Sequence, residues 1–427
     1  MQAPPSVQTS SSTKSVTVTV TPDLHFGTFE MVSSKIVVHA RLNNTLDTRM
    51  ILDCGSSSSV LSSQAVKALN LSLQPVERHG RRFAVGELAS LKVGSATLEK
   101  VPFAVLDDSD FIRKFNKDNP ESTVAGLIGL DTLEKSAVGL DFATHTYALW
   151  VGGKIRQEEA TSFNCIVCTP ASDTMHLLWP GASQAIGQET VKNPAMKDLS
   201  PQVFPLDRAE KEPGYHTVVK IDDVPFSLYI DTGGAFIILT DSQARRLNPI
   251  MSSEMKVGFP LMKEMLKSTQ VFARRFQMGS LQRRFPIICV AHRSTEAPTD
   301  ALLAINDTMF ADCRVILDFP GHTFYLSPYD AQEDGVLSSL AQRGLFCKMQ
   351  VTDKLILMIG KGSPAEKAGL KDNDALLGWG GKTLEQMTDL PDLGASLLNA
   401  TPLTVTVRRK GQSKPLTVTL PSGPWMP

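Results

Sequence analysis

The sequence carries almost no net charge, few cysteines and no long apolar run. Forty-three basic against 44 acidic side chains leave a net charge of −1, so no global field steers the chain toward nucleic acid or an anionic membrane. Neither a nucleic-acid partner nor a membrane span is expected, because no apolar stretch approaches the roughly 18 residues a spanning helix needs. Six cysteines (Cys54, Cys165, Cys168, Cys289, Cys313, Cys347) are too sparse for a disulfide-built fold, though one or two bridges remain open. G-x-S-x-G, the Walker loop, H-E-x-x-H and G-x-G-x-x-G are all missing, and with them the serine-triad, NTPase, zincin and Rossmann readings.

What is present is an ordinary globular composition, 42% hydrophobic and 20% charged over 427 residues, enough for two or three domains. The start, residues 1–15 (MQAPPSVQTSSSTKS), is a polar leader without an apolar core, which leans toward an extracytoplasmic chain, periplasmic or secreted. Residues 16–152 carry short alternating segments (SVTVTV, KIVVHARL, RMILD, VPFAVLD) between Gly, Asn, Asp and Ser punctuation, an all-β pattern. Residues 153–200 lose the alternation and read as a connecting segment with one hairpin or helix of its own. Strand patterning resumes over 201–330, and a smaller third unit of different texture spans 335–420.

The two β regions repeat each other. GLDFATHTYAL from Gly139 aligns without gaps on ILDFPGHTFYL from Ile316, an offset of 177. At nearly the same offset RMILDCGSSSSVLS from Arg49 falls on SLYIDTGGAFIILT from Ser227, and AGLIGLD from Ala125 on ALLAIND from Ala301. Three segments in one order at near-constant spacing imply two copies of one lobe. His145 and His322 are equivalent positions in this repeat, and turn structure accounts for them.

Within the repeat, Asp53 and Asp231 each end an apolar strand and enter a Gly-containing turn, which holds a carboxylate where backbone N–H groups reach it. A lone Asp-x-Gly is ordinarily just a turn. Two in matched copies can meet across a pseudo-twofold axis, where close like charges share one proton: one carboxyl then acts as base toward a water while the other acts as acid.

These segments resemble the retropepsin-like aspartic proteases. Leu52-Asp53-Cys54-Gly55-Ser56 with Leu127-Ile128-Gly129, and Ile230-Asp231-Thr232-Gly233-Gly234 with Leu302-Leu303-Ala304, carry the likeness over about residues 25–330. The resemblance implies a mainly β fold of two fused acid-protease lobes, with Asp53 and Asp231 catalytic and Cys54, Gly55, Ser56, Thr232 and Gly233 supporting them. It implies a polypeptide substrate and no cofactor or metal.

The departures are specific. Cys54 replaces a gripping hydroxyl with a weak S–H donor, Ser56 is placed to donate to Asp53 while Gly234 has no such group for Asp231, and Ala304 adds a methyl where the family has Gly, which is expected to loosen the tight packing there. A flap is expected in the hairpin near His79 to Glu87, with Gly80 and Gly86 permitting motion, and a counterpart between about Val257 and Gln270. Ordinary turn glycines are the alternative.

The third unit resembles bacterial protease-associated PDZ domains through Gly362-Ser363-Pro364-Ala365, Ala368-Gly369-Leu370 and Asp374-Ala375-Leu376-Leu377. Asn373 stands where the family usually has Gly, and tolerates a left-handed backbone. By this resemblance Gly344, Leu345, Phe346 and Cys347 would receive a peptide C-terminus by strand addition. Cys165-Ile166-Val167-Cys168 is a single C-x-x-C near His176, too few ligands for zinc. The function implied is an endopeptidase; a peptide-binding scaffold without catalysis is the alternative.

Overall fold

The computed structural model describes residues 24–78, 81–105, 110–164, 166–168, 175–177, 183–186, 189–192, 200–208, 214–257, 266–292, 301–329, 340–348, 355–380, 382–383 and 402–421. The fold is mainly β.

The N-terminal unit begins with two successive hairpins, Leu24–Val32, Lys35–Leu42 and Leu46–Leu52. Asn43 and Asn44 make the second turn in the left-handed region (φ 48 and 55), which their short polar side chains tolerate. Alternation then does what the pattern predicts: Ile36, Val38, Ala40 and Leu42 are buried while His39 and Arg41 are exposed. The sheet continues Lys35–Leu42, Leu46–Leu52, Gly126–Ile128, Val60–Leu61, Ala96–Val105, Arg81–Val93 and Gln74–Arg78. The middle unit repeats this order with Tyr215–Ile221, Val224–Asp231, Leu302–Ala304, Ile237–Thr240, Ile287–Ala291, Leu266–Phe272 and Met251–Val257. Two equivalent strand junctions are parallel, Leu46–Leu52 with Gly126–Ile128 and Val224–Asp231 with Leu302–Ala304.

The two units share a sheet. Ser136–Asp141 pairs antiparallel with Cys313–Asp318 in a register that sets Ile316 across from Gly139. These strands are flanked on one side by Thr146–Val151 and Leu24–Val32, and on the other by Thr323–Pro328 and Gln202–Pro205. At the centre, buried Arg314 bonds Asp141 through Nε at 2.7 Å, and Tyr329 donates its hydroxyl to the same carboxylate at 2.7 Å. His145 and His322 sit in matching turns at φ 54 and 53, their carbonyls accepting from Phe29 and Leu206.

The segment after residue 152 contains both a helix, Gln157–Phe163, and two short hairpins, Ile166–Cys168 with Met175–Leu177 and Ser183–Ile186 with Glu189–Lys192. It is more than a connector, since Ile155, Ala160 and Phe163 pack on Trp150, Ile316 and Tyr325 over the shared sheet. In the C-x-x-C segment, Cys165 lies outside the described residues.

The C-terminal unit is a separate six-stranded sheet around Leu345, Leu357, Leu376, Val405 and Val407. Asn373 adopts φ 70, as its residue type allows. Asp374 is buried beside Arg409, whose Nη2 donates at 2.8 Å.

Candidate active site

Asp53 and Asp231 lie at the ends of the equivalent strands, and the turns that follow them interlock. A Cβ on Gly55 would overlap the Asp231 carboxyl, and one on Gly233 would overlap that of Asp53. Each glycine therefore admits the opposite unit's carboxylate, a close approach no other residue permits. Asp53 Oδ1 accepts the N–H groups of Gly55 and Ser56, both at 3.1 Å, and Asp231 Oδ1 accepts that of Gly233 at 2.7 Å. The two carboxyls are close enough for each to act on the other's proton affinity.

Both carboxyls hold their protons more tightly than usual. Burial is the largest cause for each; the Asp231 charge pushes Asp53 further, to about 7, while Lys35 opposes both shifts. The backbone N–H bonds also favour the charged forms and only partly offset the burial.

The strands are cross-braced beneath the pair. Thr232 donates its hydroxyl to the Leu52 carbonyl at 3.0 Å and accepts the Cys54 N–H at 2.9 Å. Cys54 makes the mirror bond, its Sγ lying 3.6 Å from the Ile230 carbonyl. Burial pushes the thiol up to about 12, so it keeps the proton that this bond uses.

Two expectations are corrected. The Ser56 hydroxyl donates to the Ser58 carbonyl at 2.8 Å and not to Asp53, which is served by the Ser56 backbone instead. Ala304 does not loosen the packing. It lies opposite Asp231 in the parallel ladder, and a Cβ on Gly234 would come within 2.9 Å of the Asp231 carboxyl and 3.3 Å of the Ala304 methyl, so the glycine makes room for both. In the N-terminal unit the larger residue is Ser56, and the glycine is Gly129, whose missing Cβ lets Ser58 and Ser59 pass.

Gln74–Arg78 and Arg81–Val93 pair antiparallel. Gly80 lies outside the described residues. Gly86 is not at a hinge: it sits within the long strand opposite Phe103, whose ring fills the space a side chain would need. The counterpart, Met251–Val257 with Leu266–Phe272, is likewise a hairpin, with residues 258–265 outside those described.

In the C-terminal unit Gly344 adopts φ 80 against Ser363, and Leu345 and Cys347 face their own core. Phe346, expected to face a peptide, is buried instead against the middle unit, 4.8 Å from the Phe272 ring and 6.2 Å from that of Phe285. Alternate strand residues face opposite sides, so covering that side took the aromatic with it. Gln270 Nε2 donates to the Cys347 carbonyl at 2.7 Å.

Sequence reasoning missed Lys35 and Tyr229. Lys35 stands near both carboxylates, and Tyr229 reaches across to the Gly55 carbonyl at 3.4 Å. Only the register of the strands leading to Asp53 places Lys35 there. No group of three His, Cys, Asp or Glu suited to a metal occurs among the described residues.

Residues 37–132, which include Asp53, match the family model described as aspartyl protease. Among solved structures, the chain is similar to a retropepsin-like aspartic protease from Rickettsia conorii, at 18% identity and a TM-score of 0.23 over 30% of this chain and 89% of that one. No curated protein matches.

Proposed function

We propose that the chain is an aspartic endopeptidase in which Asp53 and Asp231 act as one proton-sharing pair between two fused retropepsin-like lobes. The observation that carries this reading is the interlock: each carboxyl is seated in the glycine turn of the other unit, Asp53 buried and Asp231 half-buried, with its proton affinity raised. The aspartyl-protease match over residues 37–132 supports it. With one proton between them, the ionised carboxyl takes a proton from an attacking water while the protonated one donates to the peptide carbonyl. No covalent intermediate is needed. The N–H groups of Gly55, Ser56 and Gly233 hold the carboxyls in place through each transfer.

The C-terminal unit reads as a PDZ-like module that recruits or positions substrate. The burial of Phe346 against the middle unit favours positioning. Cleavage of an unfolded protein across pH 3 to 7, with and without a statine-type inhibitor, tests the proposal. Acid-side cleavage abolished by the inhibitor supports it; no cleavage at any pH, or cleavage indifferent to the inhibitor, refutes it.

A further inference from the structure

The ladder between Lys35–Leu42 and Leu46–Leu52 pairs Val37 with Ile51 and Val38 with Met50. Carried on by two residues, the same register sets Lys35 across from Asp53, on the face that Val37 and Ile51 share. The turn before Lys35 fixes this placement. Ser33 and Ser34 both adopt left-handed conformations (φ 50 and 60), the Ser33 hydroxyl bonds Asn119 at 3.1 Å, and Lys35 pairs with Val32.

The middle unit lacks this cation. There His216 pairs with Tyr229, so the same extension sets Gly214 across from Asp231. A Cβ at Gly214 would overlap the Tyr229 ring, which excludes any side chain. Among the described residues the equivalent strand positions therefore give the pair of carboxyls one lysine, contributed by one unit.

We propose that Lys35 is the positioning cation of the carboxyl pair, holding its single negative charge and setting the pH range in which exactly one proton is shared. This rests on the endopeptidase reading above. Lys35 is half-buried; burial holds its proton affinity below the usual lysine range, and the charges of Asp231 first and then Asp53 oppose that shift and favour the ammonium. The other ionisable groups around the hairpin are engaged elsewhere: Glu30 with His39 and Arg49, and Arg41 with Asp47. From the middle unit Tyr229 reaches the Gly55 carbonyl with His216 edge-on against its ring, and Cys54 lies against Asp231 with its thiol protonated. A monoanionic pair beside one ammonium makes a neutral cluster, which a site shielded from water tolerates better than a bare charge.

The sign follows directly. An ammonium favours ionised carboxyls, so its removal makes both protons harder to lose. Lys35→Met, and Lys35→Gln as a second neutral variant, should move both limbs of the pH–kcat/KM profile upward by about one unit; Lys35→Arg should restore the wild-type profile. In parallel, carboxyl titration by 13C-aspartate NMR should show the same upward movement, independently of activity. Active, folded neutral variants whose profiles and titrations coincide with wild type would overturn the proposal. Should Asp53→Asn cleave like wild type, the endopeptidase reading fails, and the NMR titration still decides the role of Lys35.

Discussion

At Cys54 a thiol makes the bond that its twin Thr232 makes with a hydroxyl. Because O–H is the stronger donor and the two side chains are similar in size, Cys54→Thr should keep or raise peptidase activity; a large loss would give the thiol a role of its own. The Gly234 and Ala304 pair predicts coupling. Gly234→Ser alone should cost about 1–3 kcal/mol by overpacking against Ala304 and Asp231. Adding Ala304→Gly should recover part of that in a double-mutant cycle, the contact with Asp231 remaining, and strict additivity would contradict the contact with Ala304. Burial that raises Asp53 to about 7 also has a stability consequence. Between the ordinary carboxylate range and about 7 the folded chain binds more protons than the unfolded one, so stability falls as pH rises through that window. Asp53→Asn should flatten this fall in urea unfolding; an equally steep fall would assign it to other groups. The two Asp-Gly turns were legible because each ends an apolar strand and recurs in the repeat. The exchange of Ser56 and Gly129 for Gly234 and Ala304 was not, since each substitution looks like a loss until the two positions are seen to touch. Lys35 escaped notice because its meaning comes from strand register, and no local motif marks it.

Alternation disclosed the strands, yet the shared sheet depends on contacts that period-2 patterning does not encode. Ser136–Asp141 and Cys313–Asp318 are buried at every position, so neither shows a polar face. The ion pair between Asp141 and Arg314 ties these two strands together in the interior. Truncating one partner leaves the other charged and buried, so Arg314→Ala should destabilise by about 3–5 kcal/mol in urea unfolding. A cost below about 1 kcal/mol, the size of an exposed pair, would contradict that role. The helix Gln157–Phe163 lies in the segment expected to carry a hairpin or helix of its own, but its short apolar set gives no sign of what it covers. Its Phe163 packs edge-on against Trp150, and its carbonyl receives Arg314 Nη1 at 2.5 Å, which makes it a cover for the same ion pair.

On the scale of the whole molecule, the C-terminal unit is docked on the middle one through Phe346, Met358 and Ala341 against Phe272, Phe285 and Ile287. The sequence marked this unit as separate by its texture; its docking was invisible because Phe346 reads as one more strand residue. Phe346→Ala should uncouple the unit, giving a thermal transition of its own in calorimetry, whereas an unchanged single transition would show that the contact contributes little. The same strand runs from Phe272 back through Gln270 into the hairpin of the middle unit, so docking is placed beside a hairpin that, on the endopeptidase reading, covers the cleft. The carboxyl pair is tested most directly by turnover of an unfolded protein by wild type, Asp53→Asn and Asp231→Asn at the wild-type optimum. A pair that shares one proton predicts that either substitution abolishes turnover while the fold, followed by circular dichroism, stays intact. Wild-type turnover in either variant would contradict it.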